Sequence, residues 1–172
     1  MALADFSSNL RAAANWLATH SNGTGFADTE YGDVYQRDLS LGFGTASMLA
    51  NQIYAATRSV GIGANDDIDL AGSLPNFNGE TINFTAIKKL IIFNRSSVDG
   101  NNLTMGGGPL HTIVAEFGAS GGLANLIYPQ GVEMKSFPIT GFPVVAGTSD
   151  VLRIHNSGST AIDYDIIIIG IG

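Results

Sequence analysis

The chain closes on "IDYDIIIIGIG", residues 162–172, and the reading of this stretch decides the fold. Taken at strand period, Ile162, Tyr164, Ile166 and Ile168 fall on one face, with Asp163, Asp165, Ile167 and Ile169 on the other. The run Ile166 to Ile169 is far short of the ~20 apolar residues a bilayer-spanning helix needs. Isoleucine favours strands, and a strand apolar on both sides suits the centre of a sheet covered by another layer. At an edge it would invite aggregation. The stretch therefore predicts a central β-strand.

The same pattern extends backwards from the terminus. "DVLRIHNSGSTAIDYDIIIIG" reads as a hairpin turning at Asn-Ser-Gly-Ser. "GVEMKSFPI" sets Val132, Met134 and Ser136 against Glu133, Lys135 and Phe137. "NLTMGGG" and "HTIVAEFG" supply two further runs, and "AIKKLIIFNRSS" a buried strand from Ile87 to Asn94. Strands near 52–60 and 65–70 flank a Gly/Asn turn. Short β runs at this spacing, separated by Gly, Asn, Ser and Pro, predict a mainly β chain built as an antiparallel β-sandwich or jelly roll over residues 51–172.

Residues 1–50 read differently. Leu3, Phe6, Leu10, Ala13, Ala14 and Leu17 recur at helical spacing and predict an N-terminal helix over 2–19, ended by Ser21 to Gly25. Residues 26–49 show no sustained period and read as an extended arm or irregular loop, with a short helix around Thr45 to Gln52. Trp16, Phe26, Tyr31, Tyr35 and Phe43 precede the β region, whose own core has little use for all of them. Spaced aromatics on an arm suit docking on a partner; the alternative is a local helical subdomain folded back on the sheets.

Composition narrows the function classes. Of 172 residues, 45% are apolar and only 13% charged, so surface is left over for other copies or partners to cover. The net charge of −7 has no basic run within it, which argues against nucleic-acid phosphates and anionic lipid as partners. No secretion signal is read at the start, and there is no cysteine for disulfides or thiolate metal sites.

Candidates for chemistry are sparse. His20, His111 and His155 lack ligand spacing. The acids of "NDDID" (Asp66, Asp67, Asp69) and "DYD" (Asp163, Asp165) carry oxygens that calcium would use, but Asp66-Asp67 follows a Gly-Ala-Asn turn, where acids read more simply as solvated turn formers. Gly106-Gly107-Gly108-Pro109 lacks the Lys-Ser/Thr of a phosphate loop, and Gly42-Phe43-Gly44 lacks the third glycine of a dinucleotide turn. No catalytic residue, metal site or cofactor is assigned, and the chain is not expected to be an enzyme.

From Asp67 onward the order of phrases resembles a group of small tailed-phage and prophage virion proteins. The matching phrases are "DIDLAGSLPNFNGETINFTAIKKLIIFN", "NNLTMGGG" and "PVVAGTSDVLRIHNSGSTAIDYDIIIIG", and the resemblance spans about 105 residues, from roughly 67 to 172. The doubled Lys88-Lys89 and the "PNFNGE" turn depart from the group's usual pattern. The resemblance implies a virion structural protein of β-sandwich type, of the capsid decoration (cement) kind. It would be made in the bacterial host cytoplasm and seated on the capsid exterior. Its expected partners are the major capsid protein and other copies of itself, as dimer or trimer, with no nucleic acid and no membrane. The competing expectations are a tail or fibre-base adaptor, or a carbohydrate-active jelly roll using acid pairs.

Overall fold

A computed structural model describes residues 8–20, 29–76, 79–106, 111–112 and 125–172, and every regular element among them is a strand. In chain order these are β1 (Ser8–His20), β2 (Thr29–Phe43), β3 (Leu49–Ala50), β4 (Gln52–Val60), β5 (Asn65–Asp69), β6 (Ala71–Pro75), β7 (Thr81–Asn83), β8 (Ala86–Asn94), β9 (Leu103–Met105) and β10 (His111–Thr112). The series continues with β11 (Asn125–Ile127), β12 (Val132–Ser136), β13 (Phe142–Pro143), β14 (Ser149–Asn156) and β15 (Ile162–Ile171).

The closing stretch is a central strand. β15 pairs antiparallel with β8 on one side and β4 on the other, in a sheet ordered β12-β8-β15-β4 with β13 also on β8. A second sheet runs β10-β14-β9-β11, with β5 on β14, and β6 pairs β7 in a small ribbon. The pairs are antiparallel apart from two short parallel ones, β2 with β3 and β10 with β14. Inward residues of both large sheets form one core. Tyr54, Leu90, Ile92, Ile166 and Ile168 come from the first and Ile68, Leu103, Met105, Leu152 and Ile154 from the second.

The hairpin expected from β14 to β15 is not one. The two strands lie in different sheets, because β8 and β4 already occupy both edges of β15. The Asn-Ser-Gly-Ser stretch therefore crosses from sheet to sheet over one end of the core. Turn residues specify that the chain reverses, not which strand it reverses onto.

The doubled lysine also has a structural account. Ile169 is opposite Lys89, yet Gly170 is opposite Ile87, so Lys88 is the extra residue of a β-bulge. Its ammonium donates to the carbonyls of Pro138 (3.3 Å) and Ile139 (2.6 Å). A Cβ at Gly170 would overlap the Ala86 carbonyl oxygen, so only glycine fits opposite this bulge.

The N-terminal helix is overturned over its described part. Residues 8–20 are strand β1, paired along their whole length with β2 in register Ser8 to Leu41 through His20 to Thr29. The helical reading of Leu10, Ala13, Ala14 and Leu17 competed with a partial alternation, Leu10, Ala12, Ala14, Trp16 and Ala18 against Asn9, Arg11, Asn15 and Thr19, broken at Ala13 and Leu17. A ladder of thirteen opposed pairs outweighs weak helical propensity. Most of the stretch read as an irregular arm is likewise strand β2, and the short helix around 45–52 is replaced by a turn leading into β3 and β4. Residues 2–7 of the expected helix, and Phe26, lie outside the described residues.

Candidate functional site: an outer sheet face beside a hairpin arm

The outward face of the β12-β8-β15-β4 sheet can be written row by row from its register. Ser136, Lys89, Ile169 and Ile53 form one row, Met134, Ile91, Ile167 and Ala55 the next, and Val132, Phe93, Asp165 and Thr57 the third. The first row is covered within the chain at Lys89 and Ile169, while Ile53 is half-buried and Ser136 exposed. Leu41 at the root of β2 and Ala50 of β3 pack on Ile169, with Ile53 and Ile167 against them, and Ile169 is 6% exposed. Lys89 in that row is buried, and desolvation pulls its ammonium below the usual lysine range.

The cover stops there. Ile91, Phe93 and Ile167 are half-buried, while Val132 and Met134 are 53% and 42% exposed. Isoleucines thus face both ways on β15, as its alternation implied. The far rim is polar, where the Arg95 guanidinium donates to Asp165 (3.2 Å) and the Thr57 hydroxyl donates to the same carboxylate (2.6 Å).

The docking aromatics proposed from sequence divide among the elements. Trp16 lies on β1 opposite Asp33. Tyr31 and Tyr35 lie on β2 opposite Ala18 and Ala14. Phe43, at the end of β2, pairs with Ala50 and is exposed. These four therefore belong to one hairpin and its root. The sequence reading missed Val132, Met134, Ile91 and Phe93. Their signal was the apolar side of "GVEMKSFPI" together with the outward alternation of "LIIFN".

The acids work within the fold. Asp66 joins the two sheets: it accepts from Arg58 Nε and Nη2, both at 2.6 Å, and from the Tyr164 hydroxyl at 2.7 Å. Burial by itself would raise the Asp66 carboxyl, but the bonds from Arg58 and Tyr164 outweigh it and hold the group below the usual carboxylate range. Burial pushes the Tyr164 phenol up, and its bond to Asp66 adds to this. Arg58 also donates to the Tyr54 hydroxyl (3.0 Å). Asp67 pairs with Arg153 across β5 and β14, and Asp69 accepts from the Ala71 amide. The reading of Asp66 and Asp67 as solvated turn formers is corrected for Asp66, whose carboxylate is bonded between the sheets, while Asp67 stays exposed although it pairs with Arg153. His155 meets Asn65 at 2.9 Å, and no group of three or more His, Cys, Asp or Glu suited to a metal ion occurs among the described residues.

Three buried asparagines clamp the end where the chain crosses between sheets. Asn94 donates to the carbonyls of Asn101 (2.8 Å) and Ile127 (3.0 Å) and accepts from the Ser96 amide (3.0 Å). Asn156 donates to the carbonyls of Val60 (3.0 Å) and Thr160 (2.8 Å) and accepts from the Gly158 amide (2.8 Å). Asn101 donates to the hydroxyls of Ser96 (3.1 Å) and Thr160 (2.6 Å) and accepts from the Ser159 amide (3.0 Å). Buried amides placed this way satisfy loop groups that no strand pairs. The phrases "LIIFN" and "RIHNSG" are thus spent on architecture. No protein-family model, curated protein or solved structure matches the chain.

Proposed function

We propose that this chain is a virion structural protein, a capsid decoration protein that stabilises a phage head by bridging major capsid subunits. In this reading residues 51–172 form a jelly-roll-like sandwich and residues 1–50 the partner-docking arm. The observation that carries an assembly role is the outer sheet face, where Val132 and Met134 stay exposed beside Ile91, Phe93 and Ile167. Contiguous apolar surface of this kind is characteristic of interfaces. The sequence phrases resembling phage virion proteins carry the virion part of the reading. The polar groups described above are consistent with it, being bonded to one another and to the backbone.

The mechanism is mass action. A protein that binds assembled shell and not dissociated subunits stabilises the shell in proportion to its occupancy. The test removes the protein from purified particles and follows shell melting, then adds it back. The expected result is a lower melting temperature that recovers on re-addition, at hundreds of copies per particle. Unchanged melting refutes the decoration role, and a handful of copies per particle assigns the protein to the tail or fibre base.

A further inference from the structure

We infer that Lys88 latches the root of the β1–β2 hairpin to the body of the protein, acting through the segment 137–141 on a strained turn at Met48. This goes beyond the assembly reading, since it concerns how the arm is held and not what it meets. It is tested on the free chain, so either can fail alone.

The strain lies in the turn between β2 and β3. Met48 has a φ of 61°, in the left-handed region that glycine occupies freely and a bulky side chain does not. Residues 45–48 are exposed, so core packing does not impose this conformation. Hydrogen bonds do. The Met48 amide donates to the Pro138 carbonyl (2.9 Å), the Gly42 amide to the Met48 carbonyl (3.1 Å) and the Gly44 amide to the Ala50 carbonyl (2.9 Å). Of these three bonds, only the one to Pro138 reaches beyond residues 42–50. Strained backbone persists where its surroundings over-determine it, and such residues collect in switch regions.

The group that Met48 bonds is held in turn by Lys88. The Lys88 ammonium donates to the Ile139 carbonyl (2.6 Å) and to the same Pro138 carbonyl (3.3 Å), while the Phe137 amide donates to the Lys88 carbonyl (2.8 Å). The Pro138 carbonyl thus accepts from the body and from the arm root together. Lys88 is buried, and the described residues offer its ammonium these two carbonyls and no carboxylate. A buried charge is tolerated only where its bonds are made, so the ammonium fixes where residues 138 and 139 lie. Ile139 and Thr140 are exposed, which leaves their turn little packing of its own. The bulge explains how a lysine comes to be there. Ile87 and Leu90 both reach the core, and Lys88 is the residue added between them.

The hairpin root therefore has two attachments. Leu41 and Ala50 pack on Ile169, and Met48 hangs on Pro138. With the second broken, Met48 relaxes to ordinary backbone and the Gly42 and Gly44 bonds loosen, while the apolar contact stays.

The experiment is native-state hydrogen exchange of the full chain, read at single amides by NMR, for wild type, Lys88→Met and Met48→Gly. Methionine fills the space of the lysine stem and donates nothing. The reference amides are Phe84 and Asn156, bonded to the Leu70 and Ala64 carbonyls away from the arm. In Lys88→Met, exchange at Gly42, Gly44 and Met48 is expected to accelerate at least ~10-fold more than at the references. Met48→Gly keeps the amide and removes the strain, so Gly42 and Gly44 are expected to exchange ~3-fold slower than in wild type. Equal acceleration at all five amides in Lys88→Met is a loss of overall stability and overturns the latch, as does no acceleration at the arm root. Unchanged or faster exchange at Gly42 and Gly44 in Met48→Gly overturns the strained turn and the proposal with it, and that variant decides alone if Lys88→Met does not fold.

Discussion

Replacing Asp66 by alanine removes a group of β5 that bonds both Arg58 of β4 and Tyr164 of β15 in the opposing sheet, and its cost follows from what it leaves behind. Tyr164 is fully buried and its hydroxyl loses its acceptor, a desolvation cost of about 1–3 kcal/mol. Arg58 loses a two-bonded carboxylate partner. Breaking a fully buried pair costs ~3–5 kcal/mol, but the Arg58 side chain is 30% exposed and reaches water, so its share is nearer ~1–2 kcal/mol. The expected destabilisation is about 2–5 kcal/mol. Tyr164→Phe alone removes a single hydrogen bond, at about 1 kcal/mol. In the double variant the orphaned hydroxyl no longer exists and the bond is counted once, so the double costs about 2–4 kcal/mol less than the sum of the singles. Urea unfolding followed by far-UV circular dichroism, with equal m-values across the four proteins, measures the cycle. Additivity within ~0.5 kcal/mol would refute the claim that Asp66 and Tyr164 form one inter-sheet unit.

Two further outcomes follow from the geometry. Gly170→Ala sets a Cβ into the Ala86 carbonyl and the Phe84 ring opposite the bulge, and is expected to cost at least ~1–3 kcal/mol. At this chain length that lowers the melting midpoint by ~2–4 °C per kcal/mol, and an unchanged midpoint in calorimetry counts against tight packing at the bulge. Because Asp66 is held below its unfolded value of ~3.9, its stabilisation is present above that pH and lost as pH falls through the folded pKa. The stability gap between wild type and Asp66→Asn should therefore narrow in acid unfolding series below about pH 4, and a gap that widens there refutes the sign.

Much of the β region was legible because strand period and burial reinforce each other. β4 spans Gln52–Val60, where a strand near 52–60 was expected, and β8 and β12 differ from their expected bounds by a residue. The terminal strand was legible as central because no edge position tolerates Ile166 to Ile169. The N-terminal strands were not, because alanine-rich segments such as residues 11–14 satisfy both periods and local propensity is weak in either direction. The role of Asp66 and Asp67 on β5 was hidden for a related reason: a carboxylate beside a turn signal shows no partner until the arginine that meets it is known. Arg58 and Arg153 approach from other strands, one eight and the other 86 positions away.

The amino-acid order by itself determined that the chain is β-rich, where most strands of its second half lie, and that its last strand runs at the centre of a sheet. Each of these depends on properties of single residues and their nearest neighbours along the chain. Only the tertiary structure decided that β14 and β15 part into different sheets, that Lys88 is the extra residue of a bulge, and that apolar cover reaches only part of the outer face. Those outcomes depend on which strand edge is already occupied when another arrives. That is a property of pairing between distant segments, carried by the backbone hydrogen bonds all residues share, so side-chain pattern alone could not specify it.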